Sequence, residues 1–416
     1  SSSPNLFAVS ADEKYAGKSA AEKLKELRHQ MMKEGADVHI LTSLDDIAWL
    51  LNLRGDDVKY NPVFLANLLV EQEQARLFVN RQILAGEPEE YLKKLGVEIL
   101  PYEAFYDYGG RLEGRTILLE RDGVNAALLS RVSGKNRILD RINPTAQAKA
   151  VKNPVEMENM RRAHLKDGTA LTRFIYWLKT EGVKSGADEI SAAKKLEKFR
   201  REQEGYLGPS FDTISAYGAN AAMCHYAPKE ETKALLKPEG FYLVDSGGQY
   251  YEGTTDVTRT IVLGPLTDEQ RMHFTLVLAS MLRLGAAQFL SGCRGVTLDY
   301  AAREPLWNYG LDFNHGTGHG VGYLLNVHER PNRISFRVKD SLKDNAVLQE
   351  GMITSDEPGI YIEGSHGIRT ENLILCRKEE KNQFGQFLGF EYLTWVPIDR
   401  DGIDPAYLSE RDKKLL

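Results

Sequence analysis

Two stretches of this sequence carry acidic residues where a strand's apolar pattern would otherwise continue. The first reads Phe241-Tyr-Leu-Val-Asp-Ser-Gly-Gly-Gln-Tyr-Tyr-Glu-Gly-Thr-Thr-Asp256. Asp245 closes a strand there, Gly247-Gly248 turns the chain, and Asp256 lies on or just beyond the returning strand. The second reads Ile353-Thr-Ser-Asp-Glu-Pro-Gly-Ile-Tyr-Ile362, with Glu357 before a Pro-Gly turn, and runs on to Gly367-Ile-Arg-Thr-Glu371. Each stretch is expected to place two carboxylates on neighbouring strands of one hairpin. A third, Asn314-His-Gly-Thr-Gly-His-Gly-Val-Gly322, sets His315 and His319 four residues apart, on one face in either a strand or a helix. Its alternating glycines argue against the helix and for close approach of a ligand or backbone.

Taken one by one, Asp and Glu beside Gly suit exposed turns. Four of them buried together would cost several kcal/mol each in desolvation and repulsion unless cations neutralise them. One histidine and four carboxylates form an oxygen-dominated ligand set that favours Mn²⁺ or a similar divalent ion. Five ligands are few for two ions, so at least one carboxylate must be shared. Two ions about 3.5–4 Å apart activate a water and polarise a carbonyl or phosphoryl oxygen. Two other readings of the histidine segment fail on particular residues. Gly316 stands where the zinc-protease helix motif needs Glu, and Val321 breaks the dinucleotide-binding glycine pattern.

These groups need a frame, and the frame is that of a globular protein. The 416 residues correspond to two or three domains, with 42% hydrophobic and 27% charged content. Fifty-three basic against 59 acidic residues give a net charge of −6, which offers no electrostatic case for a nucleic-acid partner. No apolar run approaches the roughly 20 residues that span a bilayer, so no membrane partner is expected. The polar start Ser1-Ser-Ser-Pro-Asn5 shows no signal peptide, and the missing initiator Met points to processing or to a longer parent. Cys224, Cys293 and Cys376 make neither a zinc spacing nor a disulfide framework, and a reducing cytoplasmic setting is expected. Cys224, beside His225, is expected to be a buried, inert thiol.

Helical spacing of Leu24, Leu27 and Met31 predicts a helix over 19–34 stopped by Gly35, followed by a strand Val38–Leu41 and a short helix Leu44–Leu51. Phe64–Val70 and Arg76–Val79 read as strands in an α/β domain of residues 1–148 with no chemical signature. Residues 143–153 read as a linker. Asn153, Pro154 and Glu156 then start a helix of roughly 25 residues, whose apolar face is Met157, Met160, His164, Leu171, Phe174, Ile175 and Leu178. A second helix is expected over Asp188–Gln203, and a third from the Thr267/Gln270 capping box to Gly292. The second domain, 149–416, is therefore α+β, with helices covering one face of a mostly antiparallel sheet.

Asp245, Asp256, His319, Glu357 and Glu371, in that order, resemble the dinuclear site of the pita-bread metallopeptidases, a group that includes methionine aminopeptidase, prolidase, aminopeptidase P and the metal-free creatinase. The resemblance covers roughly residues 150–400. Leu51-Asn-Leu-Arg-Gly, Asn61-Pro-Val-Phe, the His315–Gly322 run, Asn326-Val-His-Glu and Glu391-Tyr-Leu-Thr-Trp-Val-Pro-Ile are closest to the cytosolic-type Xaa-Pro aminopeptidases. The resemblance implies a pita-bread catalytic domain after a creatinase-N-terminal-like domain. It also implies release of the first residue from peptides with proline second, by a hydroxide held between two metal ions, most readily Mn²⁺, with Co²⁺ or Zn²⁺ possible. Asp245 would chelate one ion, Asp256 and Glu371 would bridge, and His319 and Glu357 would hold the other, with Glu357 also handling the proton of the attacking water. His225 would stabilise the tetrahedral intermediate, His315 would shuttle a proton, His328 would contact substrate near its proline, and Tyr361 and Arg369 would orient the carboxylates. A homodimer is implied as well. Members of this subgroup carry a further α/β domain ahead of the first one here and continue a little past Ser409-Glu-Arg-Asp. Lack of that domain would open the site. A prolidase confined to dipeptides is the alternative within enzymes. A catalytically dead binding module is the alternative outside them, although such proteins usually lose the metal ligands, all of which stand here.

Overall fold

Local signals in the sequence set most of the helix starts. Ser19 caps helix α1 (Ala20–Glu34) through a reciprocal box with Glu22, and Gly35 ends it in the left-handed conformation. The computed structural model describes residues 7–8, 14–84, 86–338 and 345–416; the N-terminal Ser1–Asn5 stretch lies outside them. The chain divides into two units, Ser1–Lys149 with Asn153–Glu156, and Ala150–Lys152 with Met157–Leu416.

The first unit holds a mixed six-stranded sheet. Its strands are β1 (Val38–Leu41), β2 (Ala66–Glu71), β3 (Ala75–Val79), β4 (Val97–Pro101), β5 (Thr116–Leu119) and β6 (Arg137–Asp140). They lie in the order β4-β3-β2-β1-β5-β6. β1 follows α1 directly and leads into helix α2 (Leu44–Leu51). Val38, Ile40, Leu69, Phe78, Ile117 and Leu119 supply one of its cores.

The expected linker is largely a helix, α3 (Pro144–Ala150). Pro144 suits a first helical position, and the Thr-Ala-Gln-Ala-Lys-Ala that follows contains good helix formers, which outweighs the lack of aromatic residues. Helix α4 (Pro154–Trp177) then starts as expected, with the Asn153 side chain accepting the Glu156 N–H at 2.9 Å. Met160, His164, Leu171, Phe174 and Leu178 are buried, whereas Met157 and Ile175 are half-buried. Helix α5 (Glu189–Arg201) is capped by Asp188.

In the second unit, β7 (Ile214–Tyr217), β8 (Phe241–Ser246) and β9 (Val257–Val262) form an antiparallel sheet in that order. Helix α6 (Asp268–Gly285) has the Thr267/Gln270 capping box but ends at Gly285, short of Gly292. Phe289–Leu290 pairs instead as strand β10 with a later strand, so sheet pairing overrides continued helix. Helix α7 (Gly295–Trp307) follows, and then β11 (Gly318–Gly320), β12 (Glu329–Ile334), β13 (Ile353–Asp356), β14 (Gly359–Ile362), β15 (His366–Arg369), β16 (Asn372–Asn382) and β17 (Gly385–Tyr392). Six of these strands make a sheet in the order β10-β17-β16-β13-β11-β12, every pair antiparallel, while β14 and β15 form a separate hairpin. A single bridge, Thr258 to Glu371, joins the sheet of β9 to the start of β16.

Strand alternation decides which side chains reach the site. Tyr242, Val244, Val257 and Ile261 pack under α4 and α5 with Leu171, Phe174 and Leu196. The period of two therefore turns Leu243 and Asp245 of β8, and Thr258 and Thr260 of β9, to the opposite face. Among the described residues no helix is long and apolar enough to cross a membrane.

Candidate active site

Asp245 stands opposite Thr258 in the β8–β9 ladder, and Asp256 immediately precedes β9. The turn between them depends on Gly247, where a Cβ would overlap Thr255 O and Ser210 Oγ. Glu357 follows β13, its N–H donating to Thr317 O at 2.8 Å, and Glu371 precedes β16, its N–H donating to Thr258 O at 3.1 Å. β13 and β16 pair at Asp356 and Asn372, so the second pair of carboxylates also ends adjacent strands, although not of one hairpin, because the separate β14–β15 hairpin lies between them. β11 brings His319 between them. Gly318 allows this, because a Cβ there would overlap Ser355 O of the neighbouring strand.

Ligand atoms of Asp256, His319, Glu357 and Glu371 all lie within 4.8 Å of one another. His319 Nε2 is 3.4 Å from Asp256 Oδ2 and 3.2 Å from Glu357 Oε2. Asp245 sits beside this group, its Oδ2 accepting from Arg369 Nη2 at 2.6 Å and Nε at 3.1 Å. All five line one cavity of about 120 Å³, together with His225, His315, His328, Arg369, Phe211, Ile214 and Cys224.

The electrostatics are those of a site built around positive charge. Burial pushes the Asp245 carboxyl up to about 7 against the pull of Arg369, with Asp256 and Glu357 adding to the rise. Burial, then the charges of Asp256 and Glu357, holds Glu371 well above the carboxylate range. Burial also works against charge on Glu357, but the hydrogen bond and charge of His319 outweigh it and lower its pKa. The same pair raises His319 well above the ordinary imidazole value despite burial.

Three observations fit divalent cations here. Asp245 Oδ1 and Glu371 Oε2 are buried oxygens with no hydrogen-bond donor. His319 Nδ1 lies 2.8 Å from Gly320 O, which fixes a proton there and leaves Nε2 as the atom facing the carboxylates, where a cation would take the place of its proton. The donors are one imidazole and carboxylate oxygens, which suits Mn²⁺-like ions. The residues expected to ligate are thus brought together.

Around them runs a relay. Arg369 Nη1 donates to the Tyr361 hydroxyl at 2.9 Å, and that hydroxyl lies 2.7 Å from His315 Nε2. His315 Nδ1 is 2.8 Å from Gly316 O, so Nδ1 carries the proton and Nε2 accepts from Tyr361. Arg303 of α7 donates to the carbonyls of Phe313 and His315, holding the segment in place. Burial lowers the pKa of His315. Burial and the nearby His319 lower that of His328, whose ring meets the His319 ring edge-on at 4.3 Å. His225 is exposed at the cavity wall.

Cys224 departs from expectation: it is half-buried and lines the cavity, because the loop after the turn Gly218–Ala222 runs along the rim. Several residues at the site escaped the sequence reading. Thr258 Oγ1 donates to Glu371 Oε1 at 2.8 Å. Asp356 is fully buried with both carboxylate oxygens unpaired, and burial, reinforced by Glu357, raises its pKa well above the normal range. The one sequence signal for Asp356 is its position next to Glu357 on a strand, which sends it to the opposite face.

The sequence of residues 158–378 matches the model of metallopeptidase family M24. The chain belongs to that family. Residues 2–156 match the creatinase/prolidase N-terminal domain, and 386–416 the C-terminal region of M24 peptidases. This M24 chain is 42% identical over 418 residues to a probable Xaa-Pro aminopeptidase P of Sordaria macrospora, covering 97% of this chain and 68% of the relative. A protein of the same description from Neurospora crassa is 41% identical over 97% of this chain and 61% of its own length. The chain thus spans about two thirds of the length of these relatives. Among solved structures, the X-prolyl aminopeptidase of Caenorhabditis elegans, described as a cytosolic enzyme with a di-nuclear active site, superposes with a TM-score of 0.91 at 34% identity. The match covers 98% of this chain and 67% of that one. The pita-bread architecture expected for this M24 chain is therefore present.

Proposed function

We propose that the chain is an Xaa-Pro aminopeptidase that releases the first residue from peptides with proline second, with residues 149–416 as catalytic domain and 1–148 as a non-catalytic N-terminal domain. The observation that carries this reading is the convergence of Asp245, Asp256, His319, Glu357 and Glu371 with three histidines on one cavity, with buried acceptor oxygens left unsatisfied. Two divalent cations held by those five residues, Mn²⁺ first and Co²⁺ or Zn²⁺ as substitutes, would polarise the scissile carbonyl and acidify a water.

The chain's own groups do the rest. Glu357 would accept the proton of the attacking water. His225 and His328, both on the cavity wall, donate toward the carbonyl oxygen as negative charge develops, with His328 on the side of the proline ring. The proton taken by Glu357 would reach the leaving imino nitrogen through His315, which is oriented by Tyr361, gains it at Nε2 and gives it up again. Arg369 orients Asp245 and offsets part of its charge. An Xaa-Pro bond has no N–H to offer, and none of these roles requires one. The cytosolic setting of the Caenorhabditis elegans relative supports a cytoplasmic enzyme, and the family pattern supports a homodimer.

Hydrolysis of an Arg-Pro-Pro tripeptide by metal-stripped protein, with each metal restored in turn, tests the reading. Release of Arg alone with Mn²⁺ supports it. No release with any metal overturns it, and cleavage of an Xaa-Pro dipeptide but not a matching tetrapeptide makes the chain a prolidase instead.

A further inference from the structure

Neighbouring residues on β9 face opposite ways, and both reach Glu371. Thr258 meets it from the cavity side, accepting its N–H at the carbonyl and donating to its carboxylate through Oγ1. Arg259 meets it from behind. Nη1 donates to Thr258 O at 2.9 Å and to Glu371 O at 2.8 Å. Nη2 donates to Asn372 Oδ1 at 2.7 Å and Val396 O at 2.9 Å, and Nε donates to Pro397 O at 3.3 Å. Arg259, 3% exposed, thus commits each of its guanidinium donors to a neutral acceptor. No carboxylate touches it in these contacts, so the charge that favours its burial is that of the acidic cluster on the other side of Glu371. Burial pushes its pKa down to about 10, leaving it cationic at neutral pH.

We propose that Arg259 is a positioning residue for the two-cation site: its planar fork fixes the backbone carbonyl of Glu371 and the side chain of Asn372, and so holds the Glu371 carboxylate where two cations can share it. The inference rests on Glu371 being a bridging ligand, as read above. Lysine would retain the charge but could not span Thr258, Glu371, Asn372 and Val396 together.

The test uses the full chain with Mn²⁺ alone as probe, read by calorimetric titration and electron paramagnetic resonance. Wild type is expected to bind two ions per chain with an exchange-coupled spectrum. Arg259→Lys is expected to bind the second ion about 10–100-fold more weakly and to show the isolated six-line signal. Asn372→Ala, which removes one acceptor and keeps the charge, is expected to move both readouts the same way by less, and it serves if Arg259→Lys does not fold. Wild-type second-ion affinity and coupling in either folded variant, whatever its melting temperature, would overturn the proposal, since a merely structural role leaves them unmoved. A wild-type chain that binds a single uncoupled ion overturns the dinuclear reading itself, and this inference with it.

Discussion

Replacing Tyr361 by Phe removes one oxygen atom and separates two functions of the site. The hydroxyl accepts from Arg369 Nη1 at 2.9 Å and donates to His315 Nε2 at 2.7 Å. Arg369 keeps both of its bonds to Asp245 Oδ2, and His315 keeps its bond to Gly316 O. The loss is therefore one charge-assisted and one neutral hydrogen bond at a half-buried side chain, a total of about 2 kcal/mol. If His315 moves the proton to the leaving nitrogen, most of that loss falls on the transition state. kcat/KM for Arg-Pro-Pro release by the Mn²⁺-loaded protein should then fall roughly thirtyfold. The double variant Tyr361→Phe/His315→Ala should be no slower than His315→Ala alone, because the hydroxyl acts through the ring. Mn²⁺ affinity should stay within about threefold of wild type, since no proposed ligand loses its partner. An unchanged kcat/KM in Tyr361→Phe, or additive losses in the double variant, would refute the relay.

Four further outcomes are expected. Lys152 donates at 2.6 Å both to Glu329 and to Val321 O, with side-chain exposures of 1% and 3% for the ion pair. Lys152→Met should cost about 3–5 kcal/mol in urea unfolding, and a loss under about 1 kcal/mol would show that the pair contributes little. His366, hydrogen-bonded to His273 and Ser365 with Glu269 4.0 Å beyond His273, has its pKa pushed down to about 4 by burial and the neighbouring imidazole. The unfolded ring binds a proton near 6.5, so this contribution is complete above pH 6.5 and declines by up to about 3 kcal/mol as the pH falls toward 4. His366→Gln should flatten that part of a stability–pH profile, and an unaltered slope refutes the assignment. Gly318→Ala should lose about 3 kcal/mol of stability and weaken Mn²⁺ binding at least tenfold by forcing β11 away from Ser355, measured by denaturation and titration. Mn²⁺ at roughly 100 times its dissociation constant should stabilise the chain by about 2.7 kcal/mol per site, reversed by chelator, and thermal unfolding with and without chelator reads this directly.

Helix starts and strand faces were legible in the sequence because their causes lie within a few residues. Ser19, Asp188 and Thr267 cap α1, α5 and α6 through partners three positions on. A carboxylate at a strand end, on the face opposite Tyr242 and Val244, can be read from alternation alone. The same holds for the candidate ligands, whose residue types and order point to a metal site before any coordinates are known. Sheet assembly decided the rest. The end of α6 was set by the pairing of Phe289 with Leu388, and the exposure of Cys224 by where its loop runs. Thr258 and Arg259 reach Glu371 across more than a hundred residues of chain, through a single bridge between sheets. No local pattern encodes that meeting, because the free energy that forms it comes from burying the strands on either side. The sequence therefore determined which groups can bind a cation and do proton chemistry. Only the tertiary structure decided that Thr258 and Arg259 meet Glu371 from its two sides.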